Sequence, residues 1–249
     1  MSEEKNPQSR SERRKKEKRK GGRFQTILGV ILIIIAAALL AIDPIKNQII
    51  RQGSEQNQIG NLTREEVIAN QDRDVEYDWQ AITNINAAEV LANSINPNDL
   101  PTIGGIAIPE VSMNLPIYKG VTNEGMYLGA GTLYPDMEMG ESNYSIASHH
   151  SINEDLLFAP LMRVEMGDII YLTDLENIYV YQVDYIDQVE PTRVDLVQPT
   201  VEPIVTLITC DYSLNERVVV QGSLVETVAI ENASQEMLNA FNLPQTIPG

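Results

Sequence analysis

Ile204-Val205-Thr206-Leu207-Ile208-Thr209-Cys210 ends in the only cysteine of the chain, and Arg217-Val218-Val219-Val220-Gln221-Gly222 follows after a short polar loop. Both runs are rich in β-branched residues, which fit the pleated surface of a sheet. Two strands joined by residues 211–216 bring a thiol and a guanidinium to the same end of that sheet. A thiol is a nucleophile only as thiolate, and a nearby imidazolium or guanidinium favours that form. The only imidazoles are His149 and His150, at the end of the strand-like run Asn143-Tyr-Ser-Ile-Ala-Ser-His-His150. Neighbours on a regular strand point to opposite faces, so at most one of the two faces Cys210. Lys119, Arg163, Arg193 and Arg217 are the basic residues after residue 100. Of these, Arg217 opens the strand after the cysteine, where a guanidinium can hold a developing oxyanion or a substrate carbonyl. On residue types alone a second reading stands beside this one. A lone cysteine ending an apolar strand is also a small buried hydrophobe, and two adjacent histidines are also a surface pair.

The segments upstream extend the β character. Ile106–Val111 and Met113–Tyr118 are short runs broken by Pro109 and Pro116. Proline is confined to edges and bulges of sheets, so edge or kinked strands are expected here. Met126–Tyr134 carries glycines that imply close backbone approach, and Pro135–Ser142 is an acidic loop. Leu156–Arg163 reads as one or two helical turns. Gly167–Asp174 and Asn177–Ile186 form a hairpin, and a loop runs from Glu190 to Pro203. Seven or eight short strands, few helices and no αβ alternation define an all-β fold, a closed or nearly closed barrel over residues 101–232. Residues 233–249 hold a short amphipathic helix, with Met237, Leu238 and Phe241 on one side.

The N-terminal part is of another kind. Residues 1–23 hold ten of the eighteen Lys and Arg against four Glu, so they carry +6 of a total of -17 and the remainder carries -23. This basic head is expected to be disordered and cytoplasmic. Phe24–Ile42 follows, nineteen residues without a charge. As a helix rising ~1.5 Å per residue it approaches the ~30 Å hydrocarbon core of a membrane. The basic residues before it place that end in the cytoplasm and the rest of the chain outside. A cleaved signal peptide would have an apolar region of only ~7–15 residues and an A-x-A pattern. Ala38 and Ala41 give A-x-x-A instead, so an uncleaved anchor over 24–42 is expected, stopped by Asp43-Pro44. Residues 43–100 read as a polar extracellular stalk with helical stretches. Its last helix, around Trp79 to Leu91, is expected to pack on the barrel.

Composition excludes several classes. An acidic body lacks the basic footprint that a phosphate backbone requires, so nucleic acid is not an expected partner. One cysteine forms no internal disulfide, and two histidines with one cysteine at these distances match no zinc spacing.

The stretch Thr206–Cys210 with Arg217 downstream, and Ser145-Ile-Ala-Ser-His149 upstream, resembles the signature of the sortases, membrane-anchored cysteine transpeptidases of Gram-positive bacteria. The likeness covers about residues 80–240 and includes Ile103-Gly-Gly-Ile-Ala-Ile-Pro109 and Gly129-Ala-Gly-Thr132. The anchor and the short C-terminal tail resemble class A, the housekeeping type. The resemblance implies a closed sortase-type barrel with Cys210 as nucleophile, His149 as general acid/base and Arg217 positioning substrate and stabilising the oxyanion. His150 is an extra imidazole beside the family position. Thr209 corresponds to a residue that aids the oxyanion site. Ala130, Ala147, Thr206 and Ile208, with Val194 and Leu196 in the loop before the cysteine strand, correspond to the groove for the sorting signal.

The implied reaction cleaves the Thr–Gly bond of an LPXTG sorting signal through a thioacyl enzyme. It then transfers the surface protein to an amine of lipid II or peptidoglycan. Surface proteins bearing the signal, that acceptor and the cytoplasmic membrane are the implied partners. A pilin-polymerising or specialised sortase, and a catalytically idle surface-binding barrel, are the alternatives. Some class A sortases hold calcium with acidic residues before the histidine strand and one in the loop before the cysteine strand. Asp136, Glu138 and Glu141 stand in the first region, but Val197-Gln-Pro-Thr200 stands in the second. Calcium takes about six to eight oxygens, so no required cofactor and no metal-ligand set are expected.

Overall fold

The computed structural model describes residues 8–75, 77, 90, 96, 99–211, 213 and 215–243, with the backbone alone for 8–23. Eight strands form: β1 (Thr102–Ile108), β2 (Met113–Tyr118), β3 (Ala130–Thr132), β4 (Asn143–Ala147), β5 (Ile169–Thr173), β6 (Asn177–Val189), β7 (Ile204–Cys210) and β8 (Arg217–Ala229). They close into a barrel in the order β1-β2-β3-β4-β7-β8-β6-β5. β2 runs parallel to β3 and β4 parallel to β7, while the other neighbours are antiparallel.

Closure corrects one expectation. β1 and β2 are not edges, because each is paired on both sides. Their prolines are accommodated in another way. Pro109 begins a 3-10 turn just after β1, where a missing N–H removes no ladder bond. Pro116 stands one residue ahead of the short contact of β2 with β3, which starts at Ile117. The expected close approaches occur at Gly129 and Gly131, where a Cβ would lie 2.4 Å from the carbonyl oxygens of Pro116 and Gly120 respectively. The barrel interior is filled by fully buried side chains such as Ile106, Ile146, Leu172, Tyr181, Leu207 and Val220. Each such aliphatic side chain contributes ~1.5–3 kcal/mol on burial.

The N-terminal region differs more from expectation. Helix α1 runs from Gln8 to Gln56 with Pro44 inside it, so the backbone from Gln8 is helical and Asp43-Pro44 is not its end. Among the described residues it is the one helix long and apolar enough to cross a membrane. The chain divides into two units, Met1–Ile45 and Lys46–Gly249. Within the second unit the last turns of α1 are held by packing, with Ile50 fully buried among Val90, Tyr127, Leu156 and Leu157. That burial offsets the cost of Pro44, six residues upstream in the same helix.

A short helix α2 (Arg64–Gln71) follows, started by a capping box in which Thr63 and Glu66 satisfy each other's backbone N–H groups. Arg64 pairs with Glu176 at 2.5 Å and Asp174 at 3.4 Å, and Asn70 Nδ2 donates to the Thr102 carbonyl at 2.9 Å. Ile59 and Val67 are buried with Ala107, Tyr171 and Ile178 of the barrel wall. Residues 46–71 are therefore packed on the barrel and belong to the same unit rather than forming a separate stalk. The helix expected around Trp79 to Leu91 lies outside the described residues except for Val90, which is buried.

Two more short helices lie among the described residues of this unit. α3 (Asn123–Leu128) lies where strand character was expected, because the Thr122 side chain accepts from the Gly125 N–H and caps it. α4 (Gln235–Ala240) is capped by Ser234 and buries Leu238 and the following Phe241 against the outer wall.

Candidate active site

β4 and β7 run parallel and in register, with Ala147 opposite Ile208. Their C-terminal ends therefore meet at one end of the barrel. β8 starts at that end, and Cys210 and Arg217 are directly opposed in the antiparallel β7–β8 ladder. On the far side of β8, Arg217 faces Val189 of β6. The thiol and the guanidinium share this end because the turn between them is tight. Asp211 accepts from the N–H groups of Ser213 and Glu216 at 3.0 Å each and from the Ser213 hydroxyl at 2.6 Å. These bonds hold its carboxyl at about 2, below the usual range.

β4 ends at Ala147, two residues before the histidines. Strand alternation therefore does not decide which histidine faces the thiol. Local hydrogen bonds set the path instead. The Ser148 N–H donates to the Ile208 carbonyl at 3.2 Å, and Thr209 Oγ1 donates to the Ser148 carbonyl at 3.0 Å. Ser148 Oγ donates to the Gly129 carbonyl at 2.6 Å. The Phe158 N–H donates to the His149 carbonyl at 3.2 Å, and His150 makes a β-bridge with Leu157. His149 is left lining a cleft with Cys210 and Arg217. The hydroxyl of Thr209 is engaged by Ser148, which gives it the role of a strut joining the two chain ends and leaves its one proton unavailable to an oxyanion.

The cleft has a volume of about 200 Å³. Its apolar wall is a cluster of Val121, Met126, Leu133 and Val197, with Ala147 and Ile208 packed against it. Ala147, Val194, Ile208 and Thr209 line the cleft. Ala130, Thr206 and Leu196 are not among its lining residues. Ala130 is fully buried in the barrel core. Thr206 is fully buried and donates to Asn143 Oδ1 at 2.6 Å while accepting from Gln221 Nε2 at 3.0 Å. The Leu196 carbonyl accepts from Asn143 Nδ2 at 2.9 Å and Gln221 Nε2 at 3.1 Å. These bonds fix the 3-10 turn Val194–Val197 on the barrel. Side chains three apart eclipse in a 3-10 turn, so Val197 accompanies Val194 into the cleft and Leu196 does not. A three-residue period in this loop was the signal that identifies Val197.

The electrostatics disfavour free ions. Burial pushes the Cys210 thiol up, only partly countered by the Arg217 charge, and Asp211 adds to the rise. His149 is 6 % exposed, and burial lowers its pKa to about 4. Its Nε2 is buried without a hydrogen-bond partner. At neutral pH the pair is thus mainly thiol and neutral imidazole. A neutral imidazole can take the thiol proton at the moment of attack and return it to a leaving amine.

The family comparison rests on the same segments. A sortase domain model matches residues 106–225. Sortase A of Streptococcus agalactiae is 35% identical over 223 residues, covering 87% of this chain and 90% of that protein. Sortase A of Listeria monocytogenes is 34% identical over 214 residues, covering 85% and 95%. This chain belongs to the sortase family. With relatives of this kind over most of its length, it is a class A sortase, a cysteine transpeptidase. The crystal structure of Listeria monocytogenes sortase A superposes with a TM-score of 0.53 at 39% identity, covering 56% of this chain and 96% of that one. The idle-barrel alternative is thereby set aside.

Proposed function

We propose that this sortase cleaves a Leu-Pro-x-Thr-Gly signal between Thr and Gly and passes the acyl group to an amine of lipid II or peptidoglycan. The observation that carries the reading is the meeting of Cys210, His149 and Arg217 in one apolar-walled cleft. His149 takes the proton of Cys210, and the sulfur attacks the threonine carbonyl carbon. Arg217 holds the oxygen that gains negative charge. The C–N bond then breaks, His149 gives its proton to the departing glycine nitrogen, and a thioester remains on Cys210. An incoming amine attacks that thioester, loses a proton to His149 and frees the thiol. The apolar wall fits the leucine and proline of the signal.

The apolar part of α1 anchors the enzyme in the cytoplasmic membrane in a single pass. Its basic N-terminal side lies in the cytoplasm and the catalytic body outside, in keeping with the excess of Lys and Arg before Phe24.

The enzyme works without calcium in this reading. Asp136, Glu138 and Glu141 are exposed, and no group of three His, Cys, Asp or Glu among the described residues suits a metal ion. The loop before β7 holds three carboxylates, Glu190, Asp195 and Glu202, of which Asp195 is engaged by Arg193 Nε at 2.8 Å. Calcium takes about six to eight oxygens, and these features support the calcium-independent reading.

Cleavage of a Leu-Pro-x-Thr-Gly peptide, with and without a chelator, tests these points together. Cleavage between Thr and Gly is expected, abolished in Cys210→Ala, His149→Ala and Arg217→Ala and unaffected by the chelator. Cleavage that survives His149→Ala but is lost in His150→Ala would overturn the assignment of the general acid/base.

A further inference from the structure

The polypeptide behind His149 is organised around an aromatic side chain that takes no part in the steps above. Tyr127 is on α3 and 1% exposed. Its ring stacks on the His149 imidazole, with centroids 5.1 Å apart and planes 26° from parallel. This offset geometry is favourable for two π-systems. The contact is reinforced through the backbone. The carbonyl of Gly129, one residue past α3, accepts from the Ser148 hydroxyl. This bond ties the residue before His149 to the end of α3.

Tyr127 is seated in its turn by the last turns of α1. It shares a buried cluster with Ile50, Leu156 and Leu157, with Ile49 packed against it. Three residues along α1 from Ile50, Gly53 lies so close to α3 that a Cβ would come within 2.6 Å of the buried Leu128 side chain. Leu157 also bridges to His150, and Phe158 bonds the His149 carbonyl. The imidazole thus has a ring on one side, a backbone bond at its own carbonyl and a helix behind the ring.

We infer that Tyr127, supported by Ile50 and Gly53 of α1, is a positioning residue that sets the orientation of the His149 imidazole for proton transfer. The segment that follows the apolar helix is then a working part of the active site and not a spacer. The inference rests on the reading of His149 as general acid/base. The groups that share its surroundings are Cys210 and Arg217 at the ends of β7 and β8, with Glu190 and Arg193 also on the cleft. His150 and Tyr127 lie on its own side, and Asp211 acts on His150. Of these, the variants below change Tyr127, and the background used to assign the His149 signal changes His150 alike in all of them.

The test uses the full chain in detergent, with Tyr127→Leu, Tyr127→Phe and Ile50→Ala. Peptide cleavage gives kcat and KM, and NMR follows the titration of the imidazoles. The chain has two histidines, so a His150→Gln background assigns the His149 signal. Tyr127→Leu, which fills the site without a ring, is expected to lower kcat about tenfold at unchanged KM. It is also expected to raise the His149 pKa from about 4 toward 6.5 as water gains access. Tyr127→Phe keeps the ring and restores most of kcat. Ile50→Ala, which leaves the stack in place but loosens its support, gives a smaller loss of the same form should Tyr127→Leu not fold. Wild-type kcat and His149 titration in both Tyr127→Leu and Ile50→Ala would overturn the inference. So would a loss confined to KM with the titration unmoved, which would make Tyr127 only a wall. If His149→Gln cleaves as the wild type does, the reading of the site fails instead, and the titration still decides whether Tyr127 seats the imidazole.

Discussion

Thr209→Val is the substitution whose effect follows most directly from the geometry. The two side chains have nearly the same shape, so packing is kept and one hydrogen bond is lost. That bond runs from Thr209 Oγ1 to the Ser148 carbonyl at 3.0 Å, between residues that are both 2% exposed. Leaving a buried carbonyl without this donor costs ~1–3 kcal/mol. In a body of this size, about 2 kcal/mol lowers Tm by roughly 4–8 °C. A typical domain has ~5–15 kcal/mol in reserve, so the variant remains folded at 25 °C. Any loss of rate at that temperature is then positional. The bond ties the end of β7, which carries Cys210, to the residue before His149. Misplacement of reacting groups by ~1 Å can cost up to 10²-fold, so kcat is expected to fall by roughly ten- to a hundredfold with KM little changed. Thr209→Ser keeps the donor and keeps most of the rate. The assay is peptide cleavage at 25 °C beside a thermal melt. A Val variant with wild-type Tm and kcat refutes the strut, as does a Ser variant impaired as severely as Val.

Further outcomes follow from the cleft and the barrel. Burial holds His149 down at about 4 and the Cys210 thiol up, and the thiolate–imidazolium form carries as many protons as the neutral pair. Its share is therefore constant between the two pKa values, so kcat/KM is flat around neutrality, with an acid limb well below 6.5; an acid limb at 6.5 or above would contradict this. The same shift makes the folded state bind its His149 proton later than the unfolded state does. The stability it contributes is complete above about 6.5 and is lost as pH falls toward about 4, which acid unfolding of His149→Gln beside the wild type measures. Gly131→Ala places a Cβ 2.4 Å from the Gly120 carbonyl oxygen. It is expected to cost about 3 kcal/mol by denaturant unfolding, and a cost under 1 kcal/mol would show that β3 yields.

How much was legible in the sequence depended on whether an element carries its own signal. The β-branched runs of β7 and β8 declared two strands and the shared end of Cys210 and Arg217 without help from the rest of the chain. The hairpin at Asp174–Asn177 was equally plain, because Asp174 Oδ1 accepts from the N–H groups of Glu176 and Asn177 at 2.9 and 2.8 Å. α3 was not legible, since six residues held by one threonine cap give too little periodicity to separate them from a strand. The helix through Pro44 was hidden because its support is tertiary, from Ile50 against Leu156 and Leu157. The orientation of the histidines was hidden for a similar reason. β4 ends before them, and their path depends on bonds to Ile208, Thr209 and Phe158. Thr206 resembled a groove residue by position but is turned inward to complete the network of Asn143 and Gln221.

The central claim is that Cys210 carries the acyl group. It is tested by mixing the enzyme with a Leu-Pro-x-Thr-Gly peptide in the absence of an acceptor amine, quenching in acid and measuring intact mass and proteolytic fragments. The account predicts a mass gain equal to the Leu-Pro-x-Thr acyl group, located on the fragment containing Cys210, discharged by hydroxylamine and absent in Cys210→Ala. An enzyme that cleaves the peptide with no adduct on Cys210, or cleaves it undiminished in Cys210→Ala, would contradict it.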